Sequence, residues 1–148
     1  MVKFIGEYKA KVDDKGRLIF PSAFKSIMDK DEPLKFVVKK DLFENCLCIY
    51  PYSEWEKESE DLKSRLNFFN REHSAFWRAY MSERALIEPD EKLGRVSIPK
   101  NLLDSIGAKK EVVFCGNDYK IELWAREVLE EERSHENNFA ALAEKILA

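Results

Sequence analysis

The chain has 148 residues, 45% hydrophobic and 36% charged, with 25 Lys and Arg against 28 Asp and Glu for a formal net charge of -3. That apolar content supports a packed core in one modest domain or two small lobes, and the near-balanced total charge does not announce a nucleic-acid binder. No run of about 18 apolar residues exists and the N-terminus lacks the apolar stretch of a secretory signal, so the sequence predicts no membrane partner and a cytoplasmic location.

Charge is unevenly spread along the chain. Residues 1–30 carry seven basic groups against four acidic ones, whereas residues 127–148 hold six Glu against Arg133 and Lys145. An acidic total therefore hides a basic beginning.

In chain order, Glu7 to Val12 alternates, with Tyr8, Ala10 and Val12 on one face and Glu7, Lys9 and Lys11 on the other, which predicts a half-buried strand. Asp13-Asp14-Lys15-Gly16 supplies turn chemistry, Arg17 to Phe20 resumes as a strand, and Pro21 ends it, so the opening reads as a β-hairpin. Ser22 to Asp29 predicts a short helix through Phe24, Ile27 and Met28, followed by strands at Phe36–Val38 and Cys46–Tyr50 around a turn at Asp41–Asn45. Ser53 and Glu56 have capping-box spacing, and Trp55, Leu62, Leu66 and Phe69 fall on one helix face. Arg71 to Met81 predicts a second amphipathic helix presenting Phe76, Trp77 and Tyr80.

The second half repeats the order. Asn101–Ile106 predicts a helix with Gly107 as its cap, and Val112–Cys115 and Ile121–Trp124 predict strands around a turn at Gly116–Asp118. Val128, His135, Phe139, Leu142 and Ile146 predict a tail helix whose apolar stripe packs on the core or on a neighbouring subunit. The unit is β-β-α-β-β used twice, giving a mainly β fold with peripheral helices (α+β). The implied organisation is a first repeat at 1–55, a helical connector at 56–82, a second repeat at 83–126 and an acidic helix at 127–148.

The repeat is sharpest at Asp13-Asp14-Lys15-Gly16-Arg17-Leu18-Ile19-Phe20-Pro21 and, 78 residues on, Glu91-Lys92-Leu93-Gly94-Arg95-Val96-Ser97-Ile98-Pro99. Each copy sets an acidic residue four positions before an Arg that follows Gly. A guanidinium at a tight loop grips phosphate or reads guanine bidentately, and Asp13 or Glu91 at that offset is placed to orient it. Lys9, Lys11 and Lys15 flank Arg17, and Lys92 with Lys100 flanks Arg95, as candidate phosphate contacts.

Enzymatic signals are weak. The five glycines are scattered without a nucleotide loop, and Cys46, Cys48 and Cys115 show no motif that pairs them with His73 or His135. Cys46 and Cys48 share a strand face without further ligands at metal-site spacing, so buried structural thiols are expected. The reading is not an enzyme, with no cofactor, no metal and no small-molecule substrate.

Phe4-Ile5-Gly6-Glu7-Tyr8, the two acidic-x-x-Gly-Arg loops, Leu47-Cys48-Ile49-Tyr50-Pro51 with Trp55, and Ile121-Glu122-Leu123-Trp124 together resemble the MraZ family of bacterial transcriptional regulators, over residues 1 to about 130 and without the Glu-rich tail. The resemblance implies a swapped-hairpin (double-split) β-barrel of AbrB type, with the family's acidic-x-x-x-Arg motif falling on Asp13 with Arg17 and on Glu91 with Arg95. It also implies a nucleoid-associated, ring-shaped homo-oligomer binding double-stranded DNA at tandem promoter repeats, as regulator of the division and cell-wall gene cluster. The rival is a non-catalytic protein-interaction or scaffold module.

Overall fold

The computed structural model describes residues 3–135 and 139–148. The first half runs β1 (Glu7–Lys11), β2 (Arg17–Ile19), α1 (Ser22–Ile27), β3 (Phe36–Lys40) and β4 (Leu47–Pro51), and then α2 (Tyr52–Ser64) and α3 (Arg71–Met81). The second half runs β5 (Ala85–Ile87), β6 (Arg95–Ser97), α4 (Lys100–Ser105), β7 (Glu111–Asn117) and β8 (Lys120–Ala125), followed by α5 (Arg126–His135) and α6 (Phe139–Leu147). The fold is α+β, built on antiparallel pairing.

Strands are exchanged between the halves. The larger sheet has the order β1-β7-β8-β4-β3-β5, so β1 of the first half lies on β7 of the second, and β5 of the second lies on β3 of the first. A separate ribbon joins β2 to β6. The larger sheet does not close on itself; β1 and β5 are its edges.

The opening hairpin of the sequence reading is thereby corrected. Asp13 N–H donates to the Arg17 carbonyl at 2.9 Å and closes the loop, but β1 and β2 then part to different sheets. Burial drives the split, because Leu18 on β2 and Val96 on β6 are 2% and 1% exposed and must face the core.

Aromatic residues of both halves fill that core. Phe20 meets Phe36 at 4.8 Å and Phe114 at 5.6 Å between ring centroids, while Phe24 of α1 takes Phe4 and Tyr8 edge-on at 5.4 and 5.1 Å. Each such ring stabilises the fold by about 1.5–3 kcal/mol through burial, so neither half has a complete core alone. A second cluster, Cys46, Val113, Cys115, Trp124 and Leu129, lies under α5. Arg126 pairs with Glu111 and Arg133 with Glu7, pinning that helix across β7 and β1.

Other local readings need correction. Ser53 lies inside α2, which starts after Pro51, and its hydroxyl donates to Glu32, so no capping box forms. Helix α2 stops at Ser64, and Phe69 lies in the connection to α3, fully exposed, because Asn67 and Asn70 claim the local N–H groups. The β7–β8 turn is Asp118–Tyr119, one step later than expected, with Gly116 inside the strand. The tail consists of α5 and α6, and the side chain of His135 and residues 136–138 lie outside the described residues. No helix among the described residues is long and apolar enough to cross a membrane.

Candidate nucleic-acid interface

The two repeated loops are built alike. In the first, Asp13 Oδ1 accepts the backbone N–H groups of Lys15 and Arg17, both at 2.9 Å, and Oδ2 accepts Arg17 Nε at 2.8 Å. In the second, Asp90 Oδ1 accepts Leu93 N–H at 2.7 Å and Gly94 N–H at 3.0 Å, and Oδ2 accepts Arg95 Nε at 3.2 Å. One carboxylate thus shapes each turn and orients its arginine. The partner of Arg95 is Asp90 and not Glu91, since the second loop carries one extra residue and the carboxylate that opens the turn stands five positions before the arginine.

Charge on these carboxylates is well protected. The Asp13 carboxyl is held below its ordinary value chiefly by the Arg17 backbone N–H and then by the guanidinium, and that of Asp90 chiefly by the Leu93 N–H and then by Arg95. A depressed carboxyl keeps its contribution at neutral pH and loses it only as pH falls through the lowered value, so both ion pairs are intact under ordinary conditions.

Glycine fixes the exit from each loop. Gly16 and Gly94 have φ of +77° and +69°, where side chains are disfavoured. The Gly16 carbonyl accepts from Ile98 N–H and the Gly94 carbonyl from Phe20 N–H, both at 2.9 Å, so each loop is tied to the other half.

Register then brings the arginines together. In the β2–β6 ribbon Arg17 lies opposite Ser97 and Ile19 opposite Arg95. With Leu18 and Val96 turned inward, Arg17, Ile19, Arg95 and Ser97 share the outer face, and the arginines are diagonal neighbours roughly 7–8 Å apart. That spacing fits one major groove, about 12 Å wide. Each Nε donates to its aspartate, and among the described residues the terminal guanidinium nitrogens donate to no side chain or backbone acceptor. Two forks therefore face outward, ready for a bidentate acceptor.

The lysines of the sequence reading divide. Lys15 and Lys92 sit on the two loops and are exposed. Lys9 and Lys11 lie on the edge strand β1, turned away from the core side of Tyr8 and Ala10. Lys9 neighbours Glu7, Arg126 and Arg133, whereas Lys11 reaches the rim of the first loop. The sequence reading assigns no site role to Asp90, Ser97, Lys109 or Lys110; aligning the loops from Val12-Asp13 and Pro89-Asp90, rather than back from the arginines, is the signal that finds Asp90.

The thiols form a separate cluster. Cys46 and Cys48 are fully buried, and folding adds Asp41, whose Oδ1 accepts the Cys48 S–H at 3.2 Å, so that the three ligand atoms lie within 4.8 Å of one another. Its Oδ2 accepts the N–H groups of Phe43 and Glu44, and the Lys120 ammonium stands 3.9 Å from Cys48 Sγ, a positive charge that opposes cation binding. Hydrogen bonding with Cys48 and burial push the Cys46 thiol up, and burial raises Cys115 to about 11, which leaves these two protonated and unreactive at neutral pH. His73 Nδ1 accepts the Asn67 N–H at 2.9 Å and closes the connection between α2 and α3.

The chain is similar to known proteins over nearly its whole length. A family model described as "MraZ protein, putative antitoxin-like" matches residues 3–79 and 81–147, one segment per half. A protein of Bacteroides thetaiotaomicron named "Transcriptional regulator MraZ" is 34% identical over 147 residues, covering 99% of this chain and 94% of its own. Proteins of the same name from Bacteroides fragilis and Moorella thermoacetica are 36% and 38% identical, covering 99% and 97% of this chain and 92% and 96% of their own. The similarity reaches through the Glu-rich tail, which corrects the expectation that it ends near residue 130.

Proposed function

The chain belongs to the MraZ family, and on that premise we propose that it is a sequence-specific DNA-binding transcriptional regulator without enzymatic activity. The observation that carries this reading is the outer face of the β2–β6 ribbon, which carries two aspartate-braced arginines side by side. The acceptor edge of guanine and the phosphate backbone both match such forks.

The finer reading extends from there. Exchange of β1 and β5 between the halves supports a swapped-hairpin barrel, in which the two halves of one chain stand where two chains would stand in a dimer. One ribbon offers few phosphate contacts, so a single protomer binds weakly and a ring of protomers on tandem promoter repeats gains affinity through effective concentration. Phe139, Leu142 and Ile146 on α6, 56–87% exposed, give a ring an apolar seam. Occupying a promoter excludes polymerase, hence repression of the division and cell-wall cluster and of its own gene, from a cytoplasmic, nucleoid-associated position.

A gel shift compares duplex from upstream of the protein's own coding sequence with a scrambled duplex. Arg17→Ala is expected to cost on the order of 1–3 kcal/mol per bound loop, with Arg95→Ala costing less, and the preference for the native duplex should shrink. Binding that ignores both arginines and the sequence would favour the scaffold reading.

A further inference from the structure

The two loops sit in unequal surroundings. Around Asp13–Gly16 an open depression of about 700 Å³ is rimmed by Lys11, Lys15, Lys100, Lys109 and Lys110. All five are exposed, and among the described residues none forms an ion pair. Asp13, Asp14 and Asp104 share the rim, but Asp13 is already matched by Arg17. Elsewhere Lys3, Lys39, Lys57, Arg65, Arg126 and Arg133 each find a carboxylate. Lys11 faces Glu111 across the ladder, and Lys109 and Lys110 border Glu127 and Glu130, but with none of the five held in a direct ion pair among the described residues, five ammonium groups around one loop create a local positive field that an anionic partner relieves.

Three of these lysines come from the second half and are held at a set offset from Arg17. Ile98 N–H donates to the Gly16 carbonyl at 2.9 Å, two residues before Lys100, and Val12 N–H donates to the Lys110 carbonyl at 2.8 Å. The loop is thus bonded on both sides to the segments that carry Lys100, Lys109 and Lys110.

The rim at the second loop is thinner: the Lys25 ammonium stands against Gly94, and Lys9, Lys11 and Lys25 line a smaller depression of about 470 Å³ beside Leu93. Pro21 and Pro99 align α1 with α4, and the register pairs Ala10 with Val112 where Ile87 pairs with Phe36, both on the core side. By that alignment the positions of Lys11, Lys100, Lys109 and Lys110 are taken by Glu88, Ser22, Pro33 and Leu34, none of them basic, and the nearby Lys35 ammonium lies over the Tyr52 ring at 4.3 Å.

We infer that Lys11, Lys15, Lys100, Lys109 and Lys110 form a phosphate-binding apron to the Arg17 loop, so that a protomer seats the DNA backbone chiefly beside its first loop. The inference rests on the DNA-binding reading above and adds to it residues of the second half. Lysines that contact phosphates release counterions, so their signature is a salt slope, shared by all sequences.

Fluorescence anisotropy of the full chain on the upstream duplex and on a scrambled duplex, across a salt series, tests this with Lys109→Gln/Lys110→Gln, Lys35→Gln and Arg17→Ala. The double variant is expected to lower the slope of log affinity against log salt by roughly 2, about 0.9 per lost contact, and to weaken both duplexes by the same factor. Lys35→Gln should match the parent. If Arg17→Ala loses binding while the double variant keeps the parent slope, the apron is overturned and the DNA reading stands. If Arg17→Ala binds like the parent, both fall.

Discussion

Asp90 changes how the second loop is understood. Counting back from the arginine, Glu91 is the match to Asp13; following hydrogen bonds, it is Asp90, because Leu93 lengthens the loop by one residue and the turn opens one residue earlier. A carboxylate that must accept two N–H groups and a guanidinium needs the short side chain of Asp, which keeps the oxygens close to their own backbone. The consequence is a clean pair of substitutions. Asp90→Asn should keep most of the turn bonds, leave Arg95 unbraced and weaken DNA binding several-fold, whereas Glu91→Gln should bind like the parent. Titration of a labelled upstream duplex reads both, and an effect confined to Glu91→Gln would show that the motif spacing, and not the hydrogen-bond network, defines the site.

Loops and strands carry the linkage between halves. A Cβ on Gly16 would stand 2.6 Å from the Ile98 carbonyl oxygen, a backbone atom that cannot yield cheaply, while one on Gly94 would meet only the mobile Lys25 ammonium at the same distance. Both positions carry the left-handed penalty, about 1–2 kcal/mol. Gly16→Ala is therefore expected to lower stability in urea unfolding by more than Gly94→Ala, and the reverse order would contradict the cross-half bond as a structural tie. Much at this scale was legible in the sequence. Alternation in Glu7–Val12, the apolar run Leu47–Tyr50 and the periodicity of Arg71–Met81 each marked a real element, because burial imposes its period directly on side-chain type. What escaped was tertiary. Nothing local says that β1 joins β7 or that β2 leaves it for β6, since pairing is decided by where Leu18 and Val96 find cover, and the three-residue β5 is too short to show a period. The capping box failed for a related reason, as Ser53 was claimed by Glu32, twenty-one positions away.

At the scale of the molecule, the exchange of strands makes one chain behave as a pair of halves that cannot be separated. Phe20 touches rings from both, and the ribbon that presents the arginines needs one strand from each. The doubled loop was legible as a repeat, but the shared outward face of Arg17 and Arg95 was not, because it follows from the β2–β6 register alone. A net-acidic protein can in this way aim a compact basic face at a polyanion. The structure of the full chain bound to its own upstream duplex tests this most directly. The account predicts that the outer face of the ribbon enters the groove, with the terminal nitrogens of Arg17 and Arg95 on DNA acceptors while Asp13 and Asp90 still hold each Nε. A duplex seated on another face, with both guanidinium groups left in solvent, would contradict it.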